Sequence, residues 1–346
     1  MTGITEKNTM PKKVIDVLLI RAHDEGRRDD AEEAREVVDL MRRTVPLSSD
    51  GHILVGWDRQ LPPHKDILDC CLSSWKWSGK TGFHPTRQFG TNFALINQRP
   101  AKPDEYNWDP DQRLGELVAL SRIVHSSATS FDYCARLTRT GDSEWDIIPA
   151  GGESSAYTNN PRSFLRLGEW QATARLVEKW RTQKLVPRVA KGRVANALWW
   201  RERAAREYYS EARWPFLVTA IESLVKIWGK RPRFGSTDNF VRGMRMLAKS
   251  LRRPYTQREA KKAYEIRSTH THGGRWPVNF VALYRIKSRR PQTLLNDRRR
   301  VELQGRLYDK TEAILDAALR KAIEDDGFGK LFLDNDLLAN HLKTAI

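Results

Sequence analysis

The feature that most constrains this chain is a change of hydrophobic period near residue 162. Upstream, the apolar residues come in short runs rich in β-branched and aromatic side chains: His52–Trp57, Asn92–Ile96, Phe131–Leu137 and Trp145–Ile148. Each run is bounded by Gly, Pro, Asn or Asp, as strands are. Downstream, the spacing is helical. Leu217, Ala220, Ile221, Leu224, Val225 and Trp228 fall at i, i+3, i+4, i+7, i+8 and i+11, with Pro215 placed in the first turn and Gly229 as the stop. Phe240, Met244, Leu247 and Leu251 predict another helix, Gln257–His272 a third ending at Gly273–Gly274, and Val301–Ile323 a last long one. Further helices are expected over 31–41, 112–125, 165–180 and 194–209. A single sheet or a single bundle accommodates only half of this pattern. The expected fold class is therefore α+β, with a mixed domain over 1–160 and an all-α bundle over 161–346. The stretch from Gly151–Gly152 to Asn159–Asn160–Pro161 is the linker candidate.

Several function classes drop out early. No apolar run approaches the roughly 18 residues of a membrane span. The stretch Val14–Ile20 is short and interrupted by Asp16, and Met1–Lys13 lacks the order of a secretory leader. Cys70, Cys71 and Cys134 make neither a disulfide framework nor a Cys-x-x-Cys pair. Neither a phosphate loop, a strand-borne G-x-G-x-x-G, His-Glu-x-x-His nor G-x-S-x-G occurs. The expectation is a cytoplasmic protein without membrane attachment, metal or cofactor.

Charge supplies the first positive clue. The net charge is +17, from 60 Lys and Arg against 43 Asp and Glu. It is concentrated: Arg181–Lys310 holds 32 Lys and Arg and only 10 Asp and Glu. A block this basic favours a polyanion, because each contacted phosphate releases condensed counterions. A solvated basic face with no partner is the plainer alternative.

Within that block one short segment carries reactive groups: Tyr264–Glu265–Ile266–Arg267–Ser268–Thr269–His270–Thr271–His272–Gly273–Gly274. Arg267 keeps its charge and can grip a phosphate through two parallel N–H bonds. His272 titrates near neutrality and can pass a proton. An Arg and a His sharing a pocket suffice for RNA transesterification without a metal. The same residues also fit a plain helix C-cap, where cations favour the negative dipole end and Gly the position just beyond.

Taken with its flanks, the block Arg193–Ile323 resembles the HEPN superfamily, specifically its ApeA-like branch. Tyr264, Arg267, Ser268, His272 and Gly273 stand in the places of that branch's Tyr-x-x-Arg-Ser helix end and Arg-x4–6-His motif. Ala220–Ile221–Glu222–Ser223–Leu224 matches the preceding family helix with its single Glu. The basic helix around Arg242, Arg245 and Leu247 and the long closing helix follow in the expected order. The resemblance covers roughly the last 150 residues and leaves residues 1–160 unassigned. It implies a helical bundle that forms a homodimer, with two Arg–His pairs in one composite cleft, and a metal-independent endoribonuclease of toxin or anti-phage type. Carried over by position, Arg267 holds the scissile phosphate, His272 is general acid or base, Ser268 supports the motif, and Glu222 orients Arg267 or His272. Gly274 stands where a subgroup of two-gene toxins carries a modified Tyr, so that mode of control is not expected.

Around this motif, His270, Trp276, Arg289, Arg290, Arg298 and Arg299 are RNA-binding candidates. Trp276 is placed to stack on an unpaired base, and the arginines flank a segment read as loose. A non-catalytic module that binds nucleic acid or docks a partner is the competing reading. A partner that activates or inhibits through the N-terminal domain is a third element of the expectation.

Overall fold

The computed structural model describes residues 13–21, 36, 39–40, 42–47, 52–56, 93–99, 110–139, 145–151, 156–157, 164–182, 192–207, 210–227, 235–272 and 291–344. The fold is α+β, with an antiparallel sheet in the N-terminal half and mostly helices in the C-terminal half. No helix among the described residues is long and apolar enough to cross a membrane. The chain divides into two compact units, each made of more than one stretch. One comprises residues 1–121, 127–155 and 162–175. The other comprises residues 122–126, 156–161 and 176–346.

Among the described residues the first unit is built on six strands: β1 Lys13–Arg21, β2 Thr44–Pro46, β3 His52–Gly56, β4 Phe93–Arg99, β5 Ser130–Arg139 and β6 Asp146–Gly151. Their order is β2-β3-β4-β1-β5-β6, with every neighbouring pair antiparallel. The four runs predicted as strands lie on β3 to β6. The apolar stretch dismissed for its Asp16 is β1, the strand paired with both β4 and β5. Alternation explains its core: Ile15, Val17 and Leu19 pack on one face with Val55, Ala94, Ile96, Ala135 and Leu137. Asp16 is tolerated because the Arg136 fork on β5, directly opposite in register, reaches both carboxylate oxygens at 2.7 and 3.1 Å. A buried charge with a bidentate partner costs far less than a lone one.

Among the described residues the helices with stated bounds are α1 Pro110–Val124, α2 Leu167–Thr182, α3 Arg193–Arg206, α4 Ser210–Val225, α5 Ser236–Ser250, α6 Gln257–His272, α7 Pro291–Glu324, α8 Asp326–Leu331 and α9 Asn335–Lys343. Each periodic segment from residue 162 onward contains a helix, but Leu165, Glu207, Lys226 and Ile227 fall outside it, so α4 stops at Val225 rather than at Gly229. Of the helix expected over 31–41, only 36, 39 and 40 are described, and they are helical. Cys134 is buried in β5, whereas Cys70 and Cys71 lie outside the described residues.

Two helix starts differ markedly from expectation. Pro215 is not in the first turn: α4 begins at Ser210. The buried Arg213 donates to the Glu207 carbonyl at 2.8 Å, which holds the chain in register a turn earlier. Pro215 then costs that helix one backbone bond. The long helix begins at Pro291 rather than Val301, so 298–300 are helical and not part of a loose segment. Proline suits a first helical position because its missing N–H has no partner there in any case, and 292–300 contain no Gly or Pro to break the run. In the linker candidate, Ala156 is buried and the Tyr157 N–H donates to the Ala205 carbonyl at 2.8 Å, so part of it packs on the helical unit.

The contact between α4 and α5 depends on one small residue. A Cβ added at Gly243 would meet the Val225 side chain at 2.6–2.8 Å, closer than packed atoms tolerate. Gly243 therefore lets α5 approach α4, the helix that carries Glu222.

Candidate functional site

Helix α6 starts from a reciprocal cap. The Thr256 hydroxyl accepts from the Glu259 N–H at 3.2 Å, and the Glu259 carboxylate accepts from the Thr256 N–H at 2.6 Å. Lys310 of α7 adds an ion pair to the same carboxylate at 2.6 Å, and these partners hold Glu259 below the ordinary carboxylate range against its partial desolvation. With its start fixed, the helix turns Ala260, Ala263 and Tyr264 inward, all three buried. Arg267 follows at i+7, i+4 and i+3 from these residues, so it leaves the helix on the same face.

That face meets α4 and α5. Arg267 stands 3.5 Å from the Glu222 carboxylate on α4, and its guanidinium lies over the Tyr264 ring, 5.5 Å from the centroid. Phe240 of α5 backs the same ring at 5.4 Å. Both members of the ion pair are about a quarter exposed, 22% for Arg267 and 26% for Glu222. Burial pushes the Glu222 carboxyl above its ordinary range, although Arg267, Lys226 and a hydrogen bond with Tyr264 all favour its charged form. A guanidinium has five N–H donors in a plane, so a pair made through one nitrogen also fixes where the remaining edge points.

The placement of the sequence-derived candidates is uneven. Arg267 and Glu222 come together across α6 and α4. Arg267 is half-buried rather than packed in the core. Ser268 is half-buried on α6. Helix α6 runs unbroken through His272, but the side chains of His270 and His272 lie outside the described residues. By helical spacing, position 270 is three residues past Arg267 and shares its face. Position 272, five residues on, is about 140° around the axis. Trp276, Arg289 and Arg290 lie outside the described residues, as does the side chain of Arg298. Arg299 is exposed on α7 and lines a groove with the outer face of α6, away from the Arg267 cluster.

A second polar cluster was not anticipated. Arg201 of α3, 2% exposed, forks onto Asp316 of α7 at 2.7 and 3.0 Å and reaches Glu312 at 3.2 Å. Ser126 donates to Glu312 at 2.9 Å. Next to Arg201, Glu202 pairs with Arg122 and, at 2.9 Å, with Arg206. Burial opposes the Arg201 charge, but Asp316 and Glu312 outweigh it and push its pKa up. Burial would likewise raise Glu202, but Arg122 and Arg206 hold it below the ordinary range. Asp316 goes the other way: burial, with Glu312 beside it, pushes it up to about 6 despite Arg201. A cavity of about 440 Å³ adjoins this cluster, lined by His125, Ser126, Arg253, Asp309, Glu312 and Asp316 among others. The sequence did carry a signal for it. Arg201 falls on the apolar stripe of Ala197, Leu198, Ala204 and Ala205, and Glu312 and Asp316 interrupt the stripe of Ile314, Leu315, Ala318 and Leu319.

The raised Asp316 gives a checkable pH dependence. A folded-state pKa above the unfolded one means that the folded chain binds the extra proton between about pH 4 and pH 6. The resulting stabilisation is full at the acid end and is lost as pH rises through about 6. Asp316→Asn does not titrate, so its cost relative to the parent is expected to shrink across that window. Denaturant unfolding of both proteins at a series of pH values measures this, and a cost that grows with pH contradicts it.

Comparison of the chain with family models, with curated proteins and with solved structures gives no match.

Proposed function

We propose that the helical unit is a metal-independent endoribonuclease of the HEPN type, acting in the cytoplasm as a toxin or anti-phage effector. The observation that carries this reading is the Arg267 guanidinium. It is held by Glu222 and Tyr264 in a strongly basic unit, on the helix that also carries His272. In the reaction, the ribose 2′-oxygen attacks its own phosphorus while a base takes the 2′-proton. The bond from phosphorus to the 5′-oxygen breaks, and an acid returns a proton to that leaving oxygen. The products are a 2′,3′-cyclic phosphate and a free 5′-hydroxyl. Arg267 would neutralise the charge that builds on the non-bridging oxygens, where preorganised donors act most strongly. His272 would exchange the protons. Ser268 and Glu222 would keep Arg267 in position. One Arg–His pair is a sparse site, so a homodimer through the helical unit would supply the second. The N-terminal unit would then receive the activating or inhibiting partner.

The full-length protein incubated with total RNA in excess EDTA tests this. Cleavage is expected to persist and to leave 2′,3′-cyclic phosphate ends. Cleavage lost in EDTA and restored by Mg²⁺ overturns the mechanism.

The Arg267–Glu222 pair also favours a second reading, in which both residues serve the bundle and the basic surface binds nucleic acid without cutting it. RNA bound tightly in a salt-dependent way, and recovered uncut, supports that reading over the first.

A further inference from the structure

We infer that the groove between α6 and α7 is a docking site for an acidic amphipathic helix of a partner protein. The groove encloses about 960 Å³. Its rim carries Arg258, Lys261, Lys262 and Arg299, all exposed. Its floor is aliphatic: Ile266 is buried, Leu307 is half-buried, and Leu303 is 53% exposed. Among the described lining residues the one acid, Glu265, is exposed and already answers Lys262 at 3.3 Å. The described lining thus offers apolar contact in the centre and a clear excess of positive charge around it.

That combination selects the occupant. Residues 257–266 of α6 span about 14 Å, two and a half helical turns. This is the length over which an incoming helix presents apolar anchors at i, i+3, i+4 and i+7. Glutamates and aspartates beside those anchors would meet the four rim cations, and the oppositely charged surfaces would steer the approach. A polynucleotide fits less well. Its bases bind by stacking on aromatic faces, whereas the floor formed by Ile266, Leu303 and Leu307 is aliphatic. The leucines would gain nothing from phosphates.

The groove is separate from the Arg267 cluster, so the inference does not rest on the ribonuclease reading. Positions 258, 261, 262 and 265 make one face of α6. Positions 260, 263, 264 and 267 make the opposite one, packed towards α4 and α5. A bound helix would lie against the face of α6 opposite Arg267.

The test uses the full-length protein and a fluorescently labelled synthetic peptide with leucines at i, i+3, i+4 and i+7 and glutamates on the flanking faces. Two controls accompany it: a scrambled peptide of the same composition, and a version with lysine for every glutamate. The patterned acidic peptide is expected to bind at least about tenfold tighter than either control. Leu303→Glu and the double variant Lys261→Glu/Lys262→Glu are each expected to weaken it about tenfold, a difference of 1.4 kcal/mol. Thermal unfolding should be nearly unchanged, since these side chains are exposed. Three results would overturn the inference. The first is equal binding of all three peptides. The second is displacement of the peptide by an oligouridine whose own affinity falls in the same variants, which assigns the groove to RNA. The third is a parent protein that sediments as a dimer and becomes monomeric on Leu303→Glu, which assigns it to a second copy of this chain.

Discussion

Arg267→Ala is expected to lower RNA cleavage by about 10²–10³, the usual loss when one preorganised donor to a developing oxyanion is removed. Arg267→Lys is expected to recover little of it, because an ammonium is a point charge without the planar fork that a carboxylate at 3.5 Å can orient. The two variants separate chemistry from packing. Arg267→Ala also removes the cation from above the Tyr264 ring and leaves Glu222 half-buried beside Lys226, so a modest fall in melting temperature should accompany it. Arg267→Lys restores the charge and most of that stability but not the rate. If both variants cleave RNA normally, Arg267 serves the bundle alone. The histidines need the same comparison. His272→Ala should abolish cleavage and His270→Ala should be mild. The reverse result would follow the helical face instead, since position 270 lies on Arg267's side of an unbroken α6.

The largest expected effect on stability lies elsewhere. Arg201→Ala is expected to cost the helical unit about 3–5 kcal/mol, because it strands two buried carboxylates without their cation. Asp316 and Glu312 are only 7% and 9% exposed, so water replaces little of what the guanidinium supplied. The triple variant Arg201→Met/Glu312→Leu/Asp316→Leu should regain a large part of the loss, since apolar side chains of similar volume need no compensating charge. Chemical denaturation followed by far-ultraviolet circular dichroism measures both. An Arg201→Ala protein as stable as its parent would mean that the cluster is solvated.

The legibility of the chain follows the type of interaction. Helices whose stability comes from one apolar stripe, such as α4 and α6, are visible in their spacing because burial is periodic. Residues 291–300 of α7 were not read as helix, since three successive arginines carry no apolar period there. Strand β1 was hidden for a related reason. Asp16 looks like an interruption until Arg136 is placed opposite it, and that partner is 120 residues away. The candidate site shows the same limit. Arg267 could be picked out by its position before His272 and the glycines, and Glu222 by the resemblance, but the half-buried state of the pair depends on α4, α5 and α6 meeting. The Arg201 cluster joins α3, α7 and the segment after α1 at Ser126, and only the break in two apolar stripes pointed to it.

The helical unit recruits residues 122–126 from far upstream of its main body, and this orders its assembly in time. As the chain is synthesised, Arg122 and Ser126 emerge long before Glu202, and Arg201 long before Glu312 and Asp316. Each buried charge must wait in water for a partner not yet made. A chain that stops before α7 carries Arg201 with no carboxylates to receive it, and a fragment that begins at residue 161 carries Glu202 without Arg122. Either should stay open and exposed to proteases, because the charge left without its partner resists burial.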